Sequence, residues 1–397
     1  MHAPETLQIP LAMLTVFGSA KLMAELFERL RQPAIVGEIL AGVLIGPSVL
    51  GWMSPNELLG ALADLGVMFL LFRVGLEVKS SELMKVGGTA LAVAVLGVVV
   101  PFILGWGILL AWGEPQVEAI FVGAALVATS VGITAQVLAS KGLLQERASK
   151  IILAAAVIDD VLGLIVLALV SSLARGRVVA VELVTTAILA VGFTILAAKW
   201  GSKTMSKLVP QVGQRLRVGE AQFTLSMVLL FALSTLAVYA GVAAIIGAFL
   251  AGMALAESVN RRVHDLAHGV TELLVPFFLA GIGLHFDLKS FMDPGTLWLS
   301  LIILCAAMLS KFLGCGLGAI RLGLRDATRI GLGMAPRGEV GMVVAGLGLS
   351  MGVIPPHIYA VVVFMAVMTT ILAPPLLTLS FRDLARPERG EEVFRLG

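Results

Sequence analysis

Apolar runs of about 20 residues, the length needed to cross a hydrocarbon core, recur along the whole chain with no long polar stretch between them. A chain of 397 residues that is 58% hydrophobic and 14% charged, with a mean hydropathy of +1.00, has too little polar material to cover a water-facing surface. Lipid must solvate it. Read against charged residues and Gly/Pro breaks, the runs predict thirteen spans in one membrane unit, near 7–27, 34–51, 58–76, 86–111, 117–139, 149–173, 179–200, 221–239, 242–257, 270–285, 296–319, 329–351 and 358–380.

An odd number of spans puts the termini on opposite sides. With the N-terminus outside, twenty-one basic residues, from Arg29 to Arg395, fall in cytoplasmic loops and three, Arg175, Arg177 and Lys289, fall outside. That asymmetry is a strong positive-inside signal, which an even count would destroy. Lys21, Arg73, Lys311 and Arg337 fall within spans. The net charge of +2 is spread over short loops, so neither nucleic acid nor an acidic partner is expected. Ala3 to Thr6 is not a basic leader, so no cleaved signal is expected and the chain reads as multi-pass in the cell's inner membrane, its C-terminus cytoplasmic. Cys305 and Cys315 share one predicted helix about 15 Å apart, too far to pair, and are expected to be packing thiols.

Two segments interrupt the helical pattern, 123–134 (Gly-Ala-Ala-Leu-Val-Ala-Thr-Ser-Val-Gly-Ile-Thr) and 331–341 (Gly-Leu-Gly-Met-Ala-Pro-Arg-Gly-Glu-Val-Gly). They lie in the fifth and twelfth spans, and an odd offset of seven turns the second set of six spans upside down, with the seventh as connector. Two inverted six-helix repeats with interrupted helices at matching positions are a secondary-transporter architecture, whose ion site lies between the breaks near the midplane. Either segment alone would equally suit a helix that is only kinked or tightly packed.

Within the sixth span, Asp159 and Asp160 are adjacent in Ala156-Val157-Ile158-Asp159-Asp160-Val161-Leu162-Gly163-Leu164. Each ionised Asp at a helix centre costs about 2.5–3.5 kcal/mol if exposed to lipid, so both must face protein, water or an ion. Neighbours on a helix diverge by about 100°, so the two carboxylates meet different surroundings and are free to do different work. Lys311 stands in an apolar span, where it needs an acidic partner, and an Asp of the sixth span is the obvious one. Arg337 and Glu339 flank Gly338 in the second break and read as a structural charged pair. Thr129, Ser130 and Thr134 offer hydroxyls at the first break, suited to a small hard cation or, equally, to their own helix's carbonyls.

Taken together, Val127 to Thr134, Ile151 to Ile165, Lys311-Phe-Leu-Gly314 and Met334-Ala-Pro-Arg-Gly-Glu-Val-Gly341, with Val36 to Pro47 and Leu71 to Glu77, resemble the monovalent cation/proton antiporter family 2, above all its bacterial NapA-type sodium/proton antiporters, over nearly the whole chain. The resemblance implies an all-α membrane fold with two crossed discontinuous helices, a mobile core near 58–173 and 270–380, a dimer domain near 7–51 and 221–257, and a linker helix at 179–200. It implies electrogenic exchange of cytoplasmic Na⁺ or Li⁺ for external protons by an elevator-like movement, in a homodimer, with no cofactor and no enzymatic activity. By motif, Asp160 is the essential ion-binding carboxylate and Asp159 the second Asp, both at the Na⁺. Lys311 is the partner of Asp159, Thr129 and Ser130 lie beside the ion, and Arg337 and Glu339 are the charged pair of the second crossing. The chain departs from the pattern at Arg73, answered by Glu77 one turn on. It ends about 17 residues after its last span without a nucleotide-binding domain, which lowers the alternative of a potassium/proton exchanger.

A cation channel would need a continuous polar path, whereas the ionisable residues here sit at one level. A membrane aspartyl protease would need its two Asp on facing helices. Small residues at four-residue spacing, Gly42 and Gly46, and Ala243, Gly247 and Ala251, suit close helix approach within or between protomers.

Overall fold

The computed structural model describes residues 5–30, 32–78, 80–174, 220–286 and 288–384, with 185, 188, 189, 191–194 and 196 between them. Every regular element among them is helical: α1 (Glu5–Arg29), α2 (Ala34–Ile45), α3 (Glu57–Leu76), α4 (Ser80–Trp112), α5 (Gln116–Val127), α6 (Val131–Ser140), α7 (Arg147–Ala174), α8 (Ala221–Tyr239), α9 (Ala244–Leu255), α10 (Arg261–Leu284), α11 (Pro294–Gly318), α12 (Leu324–Gly333), α13 (Glu339–Ser350) and α14 (Pro356–Ser380). Among the described residues, eight stretches are long and apolar enough to cross a membrane: Ile9–Arg29, Glu57–Leu76, Gly87–Trp112, Gln116–Ser140, Ala221–Tyr239, Arg261–Leu284, Pro294–Gly318 and Pro356–Ser380. The expected connector at 179–200 falls largely outside the described residues, as do Arg31, Lys79, Arg175, Arg177, the basic residues from Lys199 to Arg217 and those from Arg386 to Arg395.

Helices run past the apolar runs that announce them. Hydropathy marks 270–285, yet α10 begins at Arg261, where the Asn260 side chain accepts from the Val263 N–H at 3.2 Å. Two polar turns precede the apolar ones because a good N-cap satisfies the first orphan amides outside the lipid. Asp293 does the same for α11, accepting from the N–H and hydroxyl of Thr296 at 2.7 and 2.9 Å, and those bonds hold its carboxyl below the usual carboxylate range.

Helix-to-helix contacts sort into two groups, which meet along a shared core cluster running from Val67 of α3 and Phe249 of α9 to Val131 of α6 and Ile152 of α7. Phe69, Phe72 and Leu76 of α3 join Leu230 of α8, Ala248, Ala251 and Leu255 of α9 and Ala267 and Leu274 of α10 in one cluster. Phe121 and Val122 of α5 join Leu109 of α4, Val170 of α7, Ile303 of α11, Val344 of α13 and Val361 of α14 in another. The most extensive contacts of α3 are with α10 and α9, and those of α4 with α11, α5 and α7.

Close approach inside the first group consumes the small residues. A Cβ on Gly42 of α2 would collide with the carbonyl of Ala280 on α10, and one on Gly247 of α9 would collide with Leu233 and Ser234 of α8. Of the two uses the spacing allows, these faces serve packing within the protomer. The cysteines divide: both lie on α11, but only Cys315 is buried, while Cys305 is exposed. Ten residues is 1000° of helix, so the two thiols point about 80° apart, which separates a packing position from an outward one. Among the described residues Arg73 and Glu77 form no ion pair within 4.0 Å, although the Arg73 charge still acts on the Glu77 carboxylate.

Candidate functional site

Both interruptions are real breaks, narrower than the sequence segments that signalled them. Between α5 and α6 the chain is extended at Ala128 and Ser130, and between α12 and α13 it is non-helical from Met334 to Gly338. An interrupted helix leaves amides and carbonyls that lipid cannot satisfy. Here each break supplies the other. The Ser130 N–H donates to the Pro336 carbonyl at 2.8 Å, and the Thr134 hydroxyl donates to the Gly333 carbonyl at 2.6 Å. The Arg337 N–H donates to the Thr369 hydroxyl of α14 at 3.2 Å. Gly338 is bare where Ser130 presses on it, its missing Cβ falling 2.7 Å from the Ser130 Oγ. The two broken segments therefore cross at their breaks.

Thr134→Val keeps the shape and removes the donor, leaving the buried Gly333 carbonyl unsatisfied at a cost of about 1–3 kcal/mol. A lowered melting temperature in detergent is expected, with Thr134→Ser close to wild type. Equal melting of valine and serine variants would refute the cross-link.

The acidic pair sits in mid-helix of α7, and its two carboxylates diverge as helical geometry requires. Asp159 faces α11, where the Lys311 ammonium donates to its Oδ1 at 2.9 Å and its Oδ2 at 3.1 Å; the lysine side chain is 0% and the aspartate 1% exposed. Space for the lysine comes from α4: a Cβ on Gly97 would stand 2.6 Å from the Cys315 Sγ and 3.4 Å from the Lys311 Nζ. Asp160 faces the other way, into a cavity of about 10 Å³ lined by Leu71 of α3, Val131 of α6, Val157 of α7 and Ile246 and Phe249 of α9. That volume suits one water-sized body. The cavity lies where the two packing groups meet.

Thr129 and Ser130 are buried at the first break, and the Thr129 hydroxyl has no hydrogen-bond partner among the described residues. Arg337 is fully buried and donates to the carbonyls of Ala307 on α11 at 3.0 Å and Met334 at 3.4 Å. It ties the second break to the lysine-bearing helix, its guanidinium carried by carbonyl dipoles. Glu339 opens α13, and its side chain lies outside the described residues.

The sequence-predicted residues thus fall into two linked clusters, Asp159 with Lys311 and the crossing with Thr129, Ser130 and Arg337, while Asp160 lines the cavity. Sequence reasoning overlooked Gly97, whose only signal was a glycine in an apolar helix. It also overlooked the bridge in which Lys21 of α1 reaches Glu38 of α2 at 3.1 Å and Glu272 of α10 at 3.4 Å. That bridge lines a polar cavity of about 810 Å³ with Gln136 and Ser140 of α6 and Lys141 just past its end. A charged residue in each of three separate apolar spans was the available signal.

Residues 13–381 match the family described as sodium/hydrogen exchanger, transmembrane. The chain is 34% identical to the Na(+)/H(+)-K(+) antiporter GerN of Bacillus cereus, over 91% of this chain and 94% of that protein. It is 33% identical to the high-affinity Na(+)/H(+) antiporter NhaS3 of Synechocystis, over 96% and 92%. Its fold is similar to that of the sodium proton antiporter MjNhaP1 of Methanocaldococcus jannaschii, with a TM-score of 0.74 at 18% identity over 96% of this chain and 97% of that one.

Proposed function

Because this chain belongs to the transmembrane sodium/hydrogen exchanger family, the cation/proton antiporters, we propose that it exchanges cytoplasmic Na⁺ or Li⁺ for external protons at Asp160, electrogenically and by elevator-like movement. The observation that carries this is the divergence of the acidic pair. Asp159 is committed to Lys311, whereas Asp160 faces a one-body cavity between the two packing groups. A carboxylate so placed holds either a cation or a proton, and competition between the two is antiport. Thr129 and Ser130, at the break next to cavity-lining Val131, would supply neutral oxygens to the ion.

The packing supports a modified division of labour. A moving core of α4–α7 and α11–α14 would slide against a scaffold of α1–α3 and α8–α10, so that 58–76 and 270–285 join the scaffold instead of the core. Thirteen spans in two inverted repeats, an external N-terminus and an inner-membrane location belong to the same proposal, supported by the charge asymmetry. Homodimer formation rests on the family resemblance, since Gly42 and Gly247 are used within the protomer. The name of GerN favours a second reading in which K⁺ also competes for the site.

Purified protein in proteoliposomes with an imposed pH gradient is expected to dequench a pH dye on adding Na⁺ or Li⁺, with K⁺ tested in parallel. No response to any of the three would overturn the proposal.

A further inference from the structure

A second cavity, of about 190 Å³, lies among α3, α10 and α13, lined by Asp64, Val67, Phe278, Ile282, His285 and Met342. It opens at the start of α3 and the end of α10. The cavity holding Lys21, Glu38 and Glu272 instead opens among the end of α1, the start of α2 and the ends of α6 and α14. In a chain that runs up and down through a membrane these are opposite faces.

Asp64, Val67 and Leu71 follow one another at three- and four-residue spacing and share one face of α3. Asp64 and Val67 line this cleft and Leu71 lines the cavity at Asp160, so a single stripe runs from one to the other. Four residues of helix, about 6 Å, separate them. What fills that gap is side chain. Val67 and Phe278 close on Gly132, two residues past the first break, where a Cβ would stand 2.9 Å from the Val67 Cγ2 and 3.3 Å from the Phe278 ring. Val67 and Phe278 belong to helices of one packing group and Gly132 to a helix running from the break itself, so a relative slide of the groups parts them.

Asp64 is exposed, about two turns in from the start of α3, and no ion pair or hydrogen bond occupies it among the described residues. An acid at that depth in an otherwise apolar stripe is unfavourable unless it meets water or a cation. His285 is the other titratable side chain lining the cleft.

We propose that this cleft is the external access route to the ion site, with Asp64 its staging carboxylate for monovalent cations and protons, and Val67 with Phe278 the gate that Gly132 closes. It rests on exchange at Asp160 and adds the path by which the outer face reaches it. A merely structural Asp64, or one held at the lipid interface, would act alike on both faces, so sidedness decides.

Full-length protein oriented in proteoliposomes is assayed with Na⁺ added from one face at a time. Asp64→Asn is expected to weaken apparent Na⁺ affinity about two- to fivefold from the face where α3 begins, the scale of one partly exposed carboxylate, with the opposite face and the maximal rate unchanged. Asp64→Glu should restore it. Equal affinity to wild type on both faces, or an equal fall on both, would overturn the proposal while leaving exchange at Asp160 standing; absent exchange in the wild type would instead sink the underlying reading. Val67→Cys in a Cys305→Ser background supplies a second measurement. It should react with a membrane-impermeant thiol reagent from the α3-start face, faster during Na⁺/H⁺ turnover. No reaction from that face, or reaction only from the other, would overturn the gate whether or not Asp64→Asn folds.

Discussion

Asp160→Asn is expected to end Na⁺-driven proton movement altogether while leaving the protein close to wild-type stability. The amide has the shape of the carboxyl but takes up no proton and balances no cation charge in a low-dielectric site. Asp160 lines the cavity between the packing groups, and the isosteric amide fills the same space. Asp159→Asn should behave differently although it is the same chemical change one residue away. It strands the fully buried Lys311, and removing one partner of such a pair costs about 3–5 kcal/mol. Exchange and melting temperature measured on both variants separate the roles: transport lost with stability kept at 160, stability lost at 159. Wild-type turnover in folded Asp160→Asn would remove Asp160 from the ion site.

Much of this was legible because lipid makes sequence speak plainly. A span needs a fixed apolar length, so α3, α8 and α14 fall within one or two residues of the expected 58–76, 221–239 and 358–380. A charge in hydrocarbon needs a partner, so Lys311 could be assigned an Asp of the sixth span before any contact was known, and helical divergence foretold that Asp159 and Asp160 would face different neighbours. The extent of each break was less legible. Residues 123–127 remain helical despite Gly123, because that glycine serves the close approach of α4, its missing Cβ falling 2.9 Å from the Phe102 carbonyl.

Helix grouping was not legible, since every span satisfies the same hydropathy and nothing local says that α3 packs on α9 and α10. The same applies to Cys305 and to Asp64: a residue one or two positions along the same helix points to a different neighbour, and hydropathy does not say which. Interrupted helices are worse by propensity than continuous ones. They persist here because Ser130, Thr134, Gly333 and Pro336 satisfy one another across the crossing, a long-range pairing that each half of the sequence carries without announcing.

Clamping proteoliposomes at different potassium–valinomycin potentials is expected to shift the sodium equilibrium in the wild type, and the shift should shrink or vanish in Lys311→Gln. With protons loaded, Asp160 is neutral and Asp159 balances the Lys311 ammonium, so the site carries no net charge. If Na⁺ binding takes the proton from Asp160 and a second from the Lys311 that Asp159 holds charged, the loaded site carries one net negative charge, and each cycle moves one charge. One charge through 100 mV is worth about 2.3 kcal/mol, and at about 1.4 kcal/mol per factor of ten this sustains a sodium gradient of roughly forty- to fiftyfold without any pH gradient. The geometry makes Lys311 the place where that second proton resides: its ammonium is 0% exposed and within 3.1 Å of both oxygens of Asp159, so it has no water to fall back on once the carboxylate turns to the cation. Replacing it with glutamine removes the counter-charge bonded to Asp159 and leaves only the Arg337 guanidinium acting from farther off, and the cost of burying a carboxylate with no bonded cation favours its neutral form through the cycle. Only the Asp160 proton is then exchanged, one for one, and the potential does no work. Should Lys311 merely brace α7 against α11, folded Lys311→Gln would keep the potential dependence, and a wild type indifferent to potential would end the two-proton scheme.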